Sequence, residues 1–182
     1  MRVLPCLPFF VAIVSVLSMV SAPAAAEPDG EAWASVGAVL GYDLDREAPL
    51  VGIDGRYAHP VAPMADVIVQ LQGNYFFVDS VEFFGATGSG AILQFDLNVL
   101  AGIDLSLLNP YAGLGAALIH TRSRITSGDT VLSSSSRYDM GLNLIAGGVL
   151  RIDGPIRPFA QFRATIRDGS SSSIMLGVIY TL

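Results

Sequence analysis

Lysine is absent from this chain, and all ten of its basic residues are arginine. Cysteine occurs once, at Cys6, and charged residues make up only 14% of the chain against 52% hydrophobic. Each shortage excludes something. Beyond residue 26 there are nine arginines against sixteen acids, a formal net charge of −7, so no basic face is available for nucleic acid. Cys6 lies in the N-terminal apolar stretch, which leaves the remainder without disulfide or thiol chemistry. Beyond residue 26 no apolar run reaches the roughly 18 residues that a spanning helix needs. A composition this apolar must nevertheless bury or face away from water somewhere. In lipid, one other architecture satisfies every backbone group, and that is a closed β-barrel.

Residues 1–26 are set aside first. Arg2 gives a basic start, Val3 to Val20 is apolar, and Ser21-Ala-Pro-Ala-Ala-Ala26 is a run of small residues. That is the layout of a cleavable export signal with an A-x-A site at Ala24–Ala26. Cys6 lacks the context of a lipoprotein site. Residues 27–182 are then expected to form one domain.

Those residues divide into segments in which apolar and polar side chains alternate, the period of a β-strand. The expected strands cover about 32–43, 50–59, 65–76, 91–103, 110–122, 137–152, 156–168 and 174–182. Leu93, Phe95, Leu97 and Val99 against Gln94, Asp96 and Asn98 give the clearest alternation. His59-Pro-Val-Ala-Pro63, Asn109-Pro110 and Asp153-Gly-Pro155 mark short turns. Longer loops are expected at 77–89, which holds Phe83-Phe84 and a glycine-rich run, and at 123–136, which is polar and serine-rich. An even number of strands after an export signal places both ends of the domain in the periplasm. The connections after the first, third, fifth and seventh strands then face outward. The fold class predicted is all-β, an eight-stranded antiparallel up-and-down transmembrane barrel with a polar, side-chain-filled interior.

A soluble eight-stranded barrel is the natural rival, and the polar faces decide against it. They carry Asp54, Arg56, Asp66, Gln70, Gln72, Asn74, Gln94, Asp96, Asn98, Asn143, Gln161 and Arg163. Amides, aspartates and arginines suit a narrow hydrogen-bonded interior, whereas a water-facing surface would carry lysine. An eight-stranded interior has room only for side chains, so these groups must pair with one another as a plug. A gated pore or proton path is the functional alternative. Tyr57 and Tyr180 fall near the periplasmic strand ends, and Tyr42 and Tyr75 near the outer ends, as interfacial girdles require. Tyr111 and Phe159 share inward parity, which leaves open whether they join a girdle or pack above Gly113 and Gly115.

Catalytic chemistry finds little support. His59 sits in a turn beside Pro60. His120 is followed by Ser123, a spacing of three that sets the two side chains on opposite faces of a strand. That counts against a lipid A-modifying enzyme built on His120. No Cys/His/Asp cluster has metal-ligand spacing and no glycine-rich phosphate loop opens a helix, so no cofactor is expected. Phe83-Phe84 is read as part of the outer girdle, with contact to lipopolysaccharide or a host surface as the alternative.

The chain resembles the small outer-membrane β-barrel superfamily of OmpX-, OmpA- and Ail-type proteins. The resemblance rests on the export signal, the eight alternating segments, Pro110-Tyr-Ala-Gly-Leu-Gly115, Pro158-Phe-Ala-Gln-Phe-Arg163 and the last strand. It implies an outer-membrane location in a Gram-negative envelope and a structural or surface-interaction role without enzymatic activity. It further implies contact with outer-membrane lipids and lipopolysaccharide. Gly177, Tyr180 and Leu182 resemble the signal read by the barrel-assembly machinery, although the family usually ends in Phe. A small-solute or lipid-binding channel and a lipid A-modifying enzyme are the alternatives to test.

Overall fold

Alternation along each segment places one face inside and one outside, and the strands close on themselves without a free edge. A computed structural model describes residues 32–182 apart from Pro63, Phe84, Gly85, Ser106 and Asp129. The expected export signal, with Cys6, lies outside the described residues, as does Phe84. Eight strands run in order: β1 Trp33–Asp43, β2 Ala48–Ala62, β3 Ala65–Phe83, β4 Ala86–Ile103, β5 Leu108–Ser127, β6 Thr130–Leu150, β7 Ile156–Ile166 and β8 Ser171–Thr181. Each pairs antiparallel with its neighbour in sequence, and β1 pairs with β8 from Ser35↔Thr181 to Asp43↔Ser173, which completes the ring.

The faces are inverted relative to a protein in water. Leu97 is 53% exposed, while its neighbours Asp96 and Asn98 are 3% and 0% exposed. Leu71, Leu114, Leu144, Leu176 and Val178 are likewise exposed, and Gln70, Asn74, Gln94 and Asn143 are buried. Such an aliphatic exterior has hydrocarbon as its natural solvent. We name the end bearing the β1–β2 turn the outer end, by the orientation expected above.

The strand count follows the sequence, but the strand lengths do not. The segments expected as loops at 77–89 and 123–136 are mostly strand. β3 leaves β2 at Phe76↔Leu50, and β6 leaves β7 at Leu142↔Ile166. Beyond those points β3, β4, β5 and β6 continue outward as a four-stranded sheet with no cover from the other half of the ring. Ser133–Ser136 pairs with Arg122–Ile125 residue by residue. Here neither face meets hydrocarbon, so no hydrophobic alternation is required and backbone pairing alone supplies the order. Phe83, expected in a loop, is the last β3 residue and pairs with Ala86.

Two inward aromatics settle where the close packing lies. A Cβ on Gly147 would come 2.6 Å from the Tyr111 ring and hydroxyl, and one on Gly177 would come 2.5 Å from the Phe159 ring. Tyr111 and Phe159 therefore pack above Gly147 and Gly177, not above Gly113 and Gly115, whose missing side chains make room for the β4 backbone. Gly147→Ala and Gly177→Ala should each lower the unfolding free energy by about 1–3 kcal/mol through overpacking. Gly55→Ala, with its nearest neighbour 3.8 Å away, should be neutral. Urea unfolding in detergent micelles reads both effects, and equal behaviour of the three variants would contradict this packing.

Candidate functional site

Inward residues of six strands, β2 to β7, form one connected polar core inside the barrel. Arg56 donates from Nε to Asp54 at 2.7 Å, and Gln70 donates to Asp54 at 2.5 Å and to the Gln161 amide oxygen at 3.1 Å. The Tyr111 hydroxyl donates to that same oxygen at 3.0 Å. The Arg56 guanidinium lies 4.3 Å from the Phe159 ring centre and 4.9 Å from that of Tyr111, so two aromatic faces also stabilise its charge. A second centre forms around Asp96. Arg163 pairs with it, Asn143 and Gln94 each donate to it at 2.8 Å, and Asn74 donates at 3.1 Å. Gln72 joins the two centres by donating to Asp54 at 3.3 Å and accepting from Arg163 at 3.2 Å. Asn98 bridges likewise between Gln70 and Asn143, at 3.1 Å to each.

Apolar layers close this core at both ends. Ile68, Leu100 and Ile179 are buried toward the inner end, and Phe76, Ile92 and Ile119 toward the outer end. A small pocket at the inner end, lined by Trp33, Asp66, Tyr111, Arg157 and Ile179 among others, is about the size of one water molecule. Asp66, expected in the interior network, instead stands partly exposed at that inner rim, because β3 begins only one residue before it. Arg151 pairs with Asp104 between the inner turns.

At the outer end the turns are tied across the β1–β8 seam. Ser172 donates from both its backbone N–H and its hydroxyl to Asp45, each at 2.6 Å. These bonds hold the Asp45 carboxyl below its ordinary value. The clasp is therefore present above the usual carboxylate range and is lost as pH falls through the lowered value. Arg46 pairs with Asp43 at 2.9 Å, and Arg167 and Arg137 pair with Asp139 at 3.4 and 2.6 Å.

The outward face of β5 and β6 carries the remaining polar constellation. His120 lies opposite Tyr138, with the rings stacked at 4.5 Å and 18°. Its Nε2 is 2.8 Å from the Ser136 hydroxyl. Ser123 has the opposite parity on β5 and takes no part, whereas Ser136 was invisible to a spacing rule because it arrives from the neighbouring strand. A histidine beside a serine hydroxyl has the geometry of a base and a nucleophile. Among the described residues no carboxylate bonds to the ring, and Asp139, on the inward parity of β6, is engaged by arginines. No cluster among the described residues has the composition of a metal site. Arg122 and Arg124 continue the row above His120, exposed and without an ion pair among the described residues.

No family model matches the chain, and no curated protein resembles it in sequence. Solved structures do resemble it. The attachment invasion locus protein Ail of Yersinia pestis matches with a TM-score of 0.61 at 19% identity, over 84% of this chain and 99% of Ail. The N-terminal barrel domain of Pseudomonas aeruginosa OprF matches with a TM-score of 0.54 at 16% identity, over 82% and 97%. A major outer-membrane protein of Thermus thermophilus matches with a TM-score of 0.62 at 13% identity, over 84% and 100%. The fold is that of the small eight-stranded outer-membrane β-barrels. At these identities the likeness concerns the fold. The function has to come from the chain's own residues.

Proposed function

We propose that this protein is an integral outer-membrane barrel with a non-enzymatic role in the envelope, exerted through the β3–β6 extension. The observation that carries this reading is the contrast between a core filled by a connected polar network between two apolar layers and a long sheet raised outside it. A barrel of this size has no space for a solute path, and its surface is where other molecules meet it. Export by the N-terminal signal, insertion through the assembly machinery at Gly177, Tyr180 and Leu182, and contact with lipopolysaccharide complete the proposal.

The test is a deletion strain complemented by two chains. The full chain should restore envelope integrity, measured as resistance to detergent and bile salts. A chain whose β5–β6 hairpin is shortened by joining Thr121 to Arg137 through a tight turn should fold and fractionate normally yet fail to restore it. Full restoration by the shortened chain would refute the role of the extension. The channel alternative predicts large, stable openings in planar bilayers, and none are expected from the purified protein. The enzymatic alternative rests on the His120–Ser136 contact and predicts altered lipid A on overexpression. That profile is expected to stay unchanged, with or without His120→Ala.

A further inference from the structure

We infer that the outward face of β5 and β6, just above the apolar belt, is a binding strip for the phosphate groups of glycolipid in the surrounding outer leaflet. The inference rests on the outer-membrane reading above and names the chemistry of its partner.

Position comes first. On β5 the lipid-facing parity runs Leu108, Pro110, Ala112, Leu114, Ala116 and Leu118, then changes character to His120, Arg122 and Arg124. From Leu108 to Leu118 the strand advances about 33 Å at roughly 3.3 Å per residue. Tilted by about 40°, that is a height of about 25 Å, the usual apolar band of such barrels. The next outward residues therefore emerge where hydrocarbon ends and headgroup phosphates begin. His120 and Tyr138 sit side by side at this level, as amphipathic rings do at an interface.

Charge comes second. Among the described residues at the outer end, Arg46 pairs with Asp43, and Arg137 and Arg167 share Asp139. Arg122 and Arg124 are not, although acids outnumber bases in this chain. Asp139, close by in sequence on β6, lies on the inward parity opposite Ile119. An exposed arginine pair without an ion pair among the described residues, on the outward row just above the apolar belt, is an anion site by charge, and the guanidinium fork suits phosphate.

Access comes third. Arg122 is flanked across the sheet by Ala91 on β4 and Ser136 on β6, and Arg124 by Ser89 and Ser134. Small neighbours leave the guanidinium groups unobstructed, and the Ser89 and Ser134 hydroxyls add donors for further phosphate oxygens. An amphiphile fits this surface better than a peptide or a free polyanion. Its chains would lie along Leu114, Leu118 and Leu142 while its phosphates meet Arg122 and Arg124.

Purified full-length protein in detergent, titrated with lipopolysaccharide, tests this against Arg122→Gln/Arg124→Gln and Arg122→Lys/Arg124→Lys. The glutamine pair should weaken lipopolysaccharide binding about tenfold or more, and the lysine pair less, since it keeps charge without the fork. Dephosphorylated lipopolysaccharide should bind the wild type no better than native lipopolysaccharide binds the glutamine pair. Unchanged binding by the glutamine pair overturns the proposal. Equal binding of soluble inorganic polyphosphate overturns the lipid as source and leaves a free-polyanion site. Outer-membrane fractionation of the same chains separates the two levels. Fractionation elsewhere defeats the membrane reading, whereas correct fractionation with no phosphate dependence defeats this inference alone.

Discussion

Asp96→Leu is expected to abolish folding of the barrel, and Arg163→Met to destabilise it by about 3–5 kcal/mol, the usual cost of breaking a buried ion pair by removing one partner. The inequality follows from who else is bonded to each member. Without Arg163, Asp96 keeps the amide donors of Asn74, Gln94 and Asn143, so the remaining carboxylate is still solvated by the protein. Without Asp96, Arg163 keeps only Gln72, at 3.2 Å, and three amides lose an acceptor together. Each donor hydrogen left without an acceptor costs a further ~1–3 kcal/mol, so the total is comparable with the whole stability of an ordinary domain. The double variant Asp96→Leu/Arg163→Met should recover part of the loss, because no uncompensated charge remains, but not the amide share. Urea unfolding and gel mobility with and without heating give the ranking. Equal effects of the two single variants would show that Arg163 and Asp96 act only as a pair.

Removing Tyr180 to Leu182 is the second large effect expected. These residues close the inner end of the seam. Tyr180 pairs with Val36 on one side and Ile156 on the other, the Thr181 N–H donates to Pro155, and the Leu182 N–H donates to Ala34, both at 2.9 Å. Their loss leaves backbone groups of β1 and β7 unpaired at the edge of hydrocarbon, where no water replaces the bonds and each costs several kcal/mol. It also removes Tyr180 from the interfacial girdle. A deletion of three residues from Ser133–Ser136 breaks as many strand pairs, but in the outward sheet, where water solvates the freed groups. Assembly, read as the folded band in membrane fractions, should fall sharply for the first deletion and little for the second. Comparable assembly of both would contradict the seam account.

What the sequence made legible is set by period two. Parity alone assigns Gln70, Gln94, Asn98, Asn143, Gln161 and Arg163 to the inside and the leucines to the outside, because a one-residue slip would expose every charge to lipid. Three things lay beyond that rule. Strand extension past Thr121 into the serine-rich β5–β6 hairpin has no alternating signature, since strands with water on both faces need none, and past Phe76 the glycine-rich run Gly85–Gly90 reads as a loop. Asp66 follows the parity of the interior but sits at a strand end, where parity no longer implies burial. The pairings of His120 with Ser136, of Phe159 with Gly177 and of Tyr111 with Gly147 depend on register between strands. Spacing within one strand does not encode register.

The uneven height of the wall gives the molecule a front and a back. Along β5 the raised part from Thr121 to Ser127 adds roughly 20 Å of strand at about 3.3 Å per residue. The β1, β7 and β8 side ends near the membrane surface at Asp43, Ile166 and Ser171. A large neighbour drifting up on the low side can lean over the barrel mouth, while one arriving on the high side meets an upright screen. Rotation about the barrel axis therefore changes what the protein offers to its surroundings, and encounters in the crowded plane of the bilayer are sorted by compass bearing.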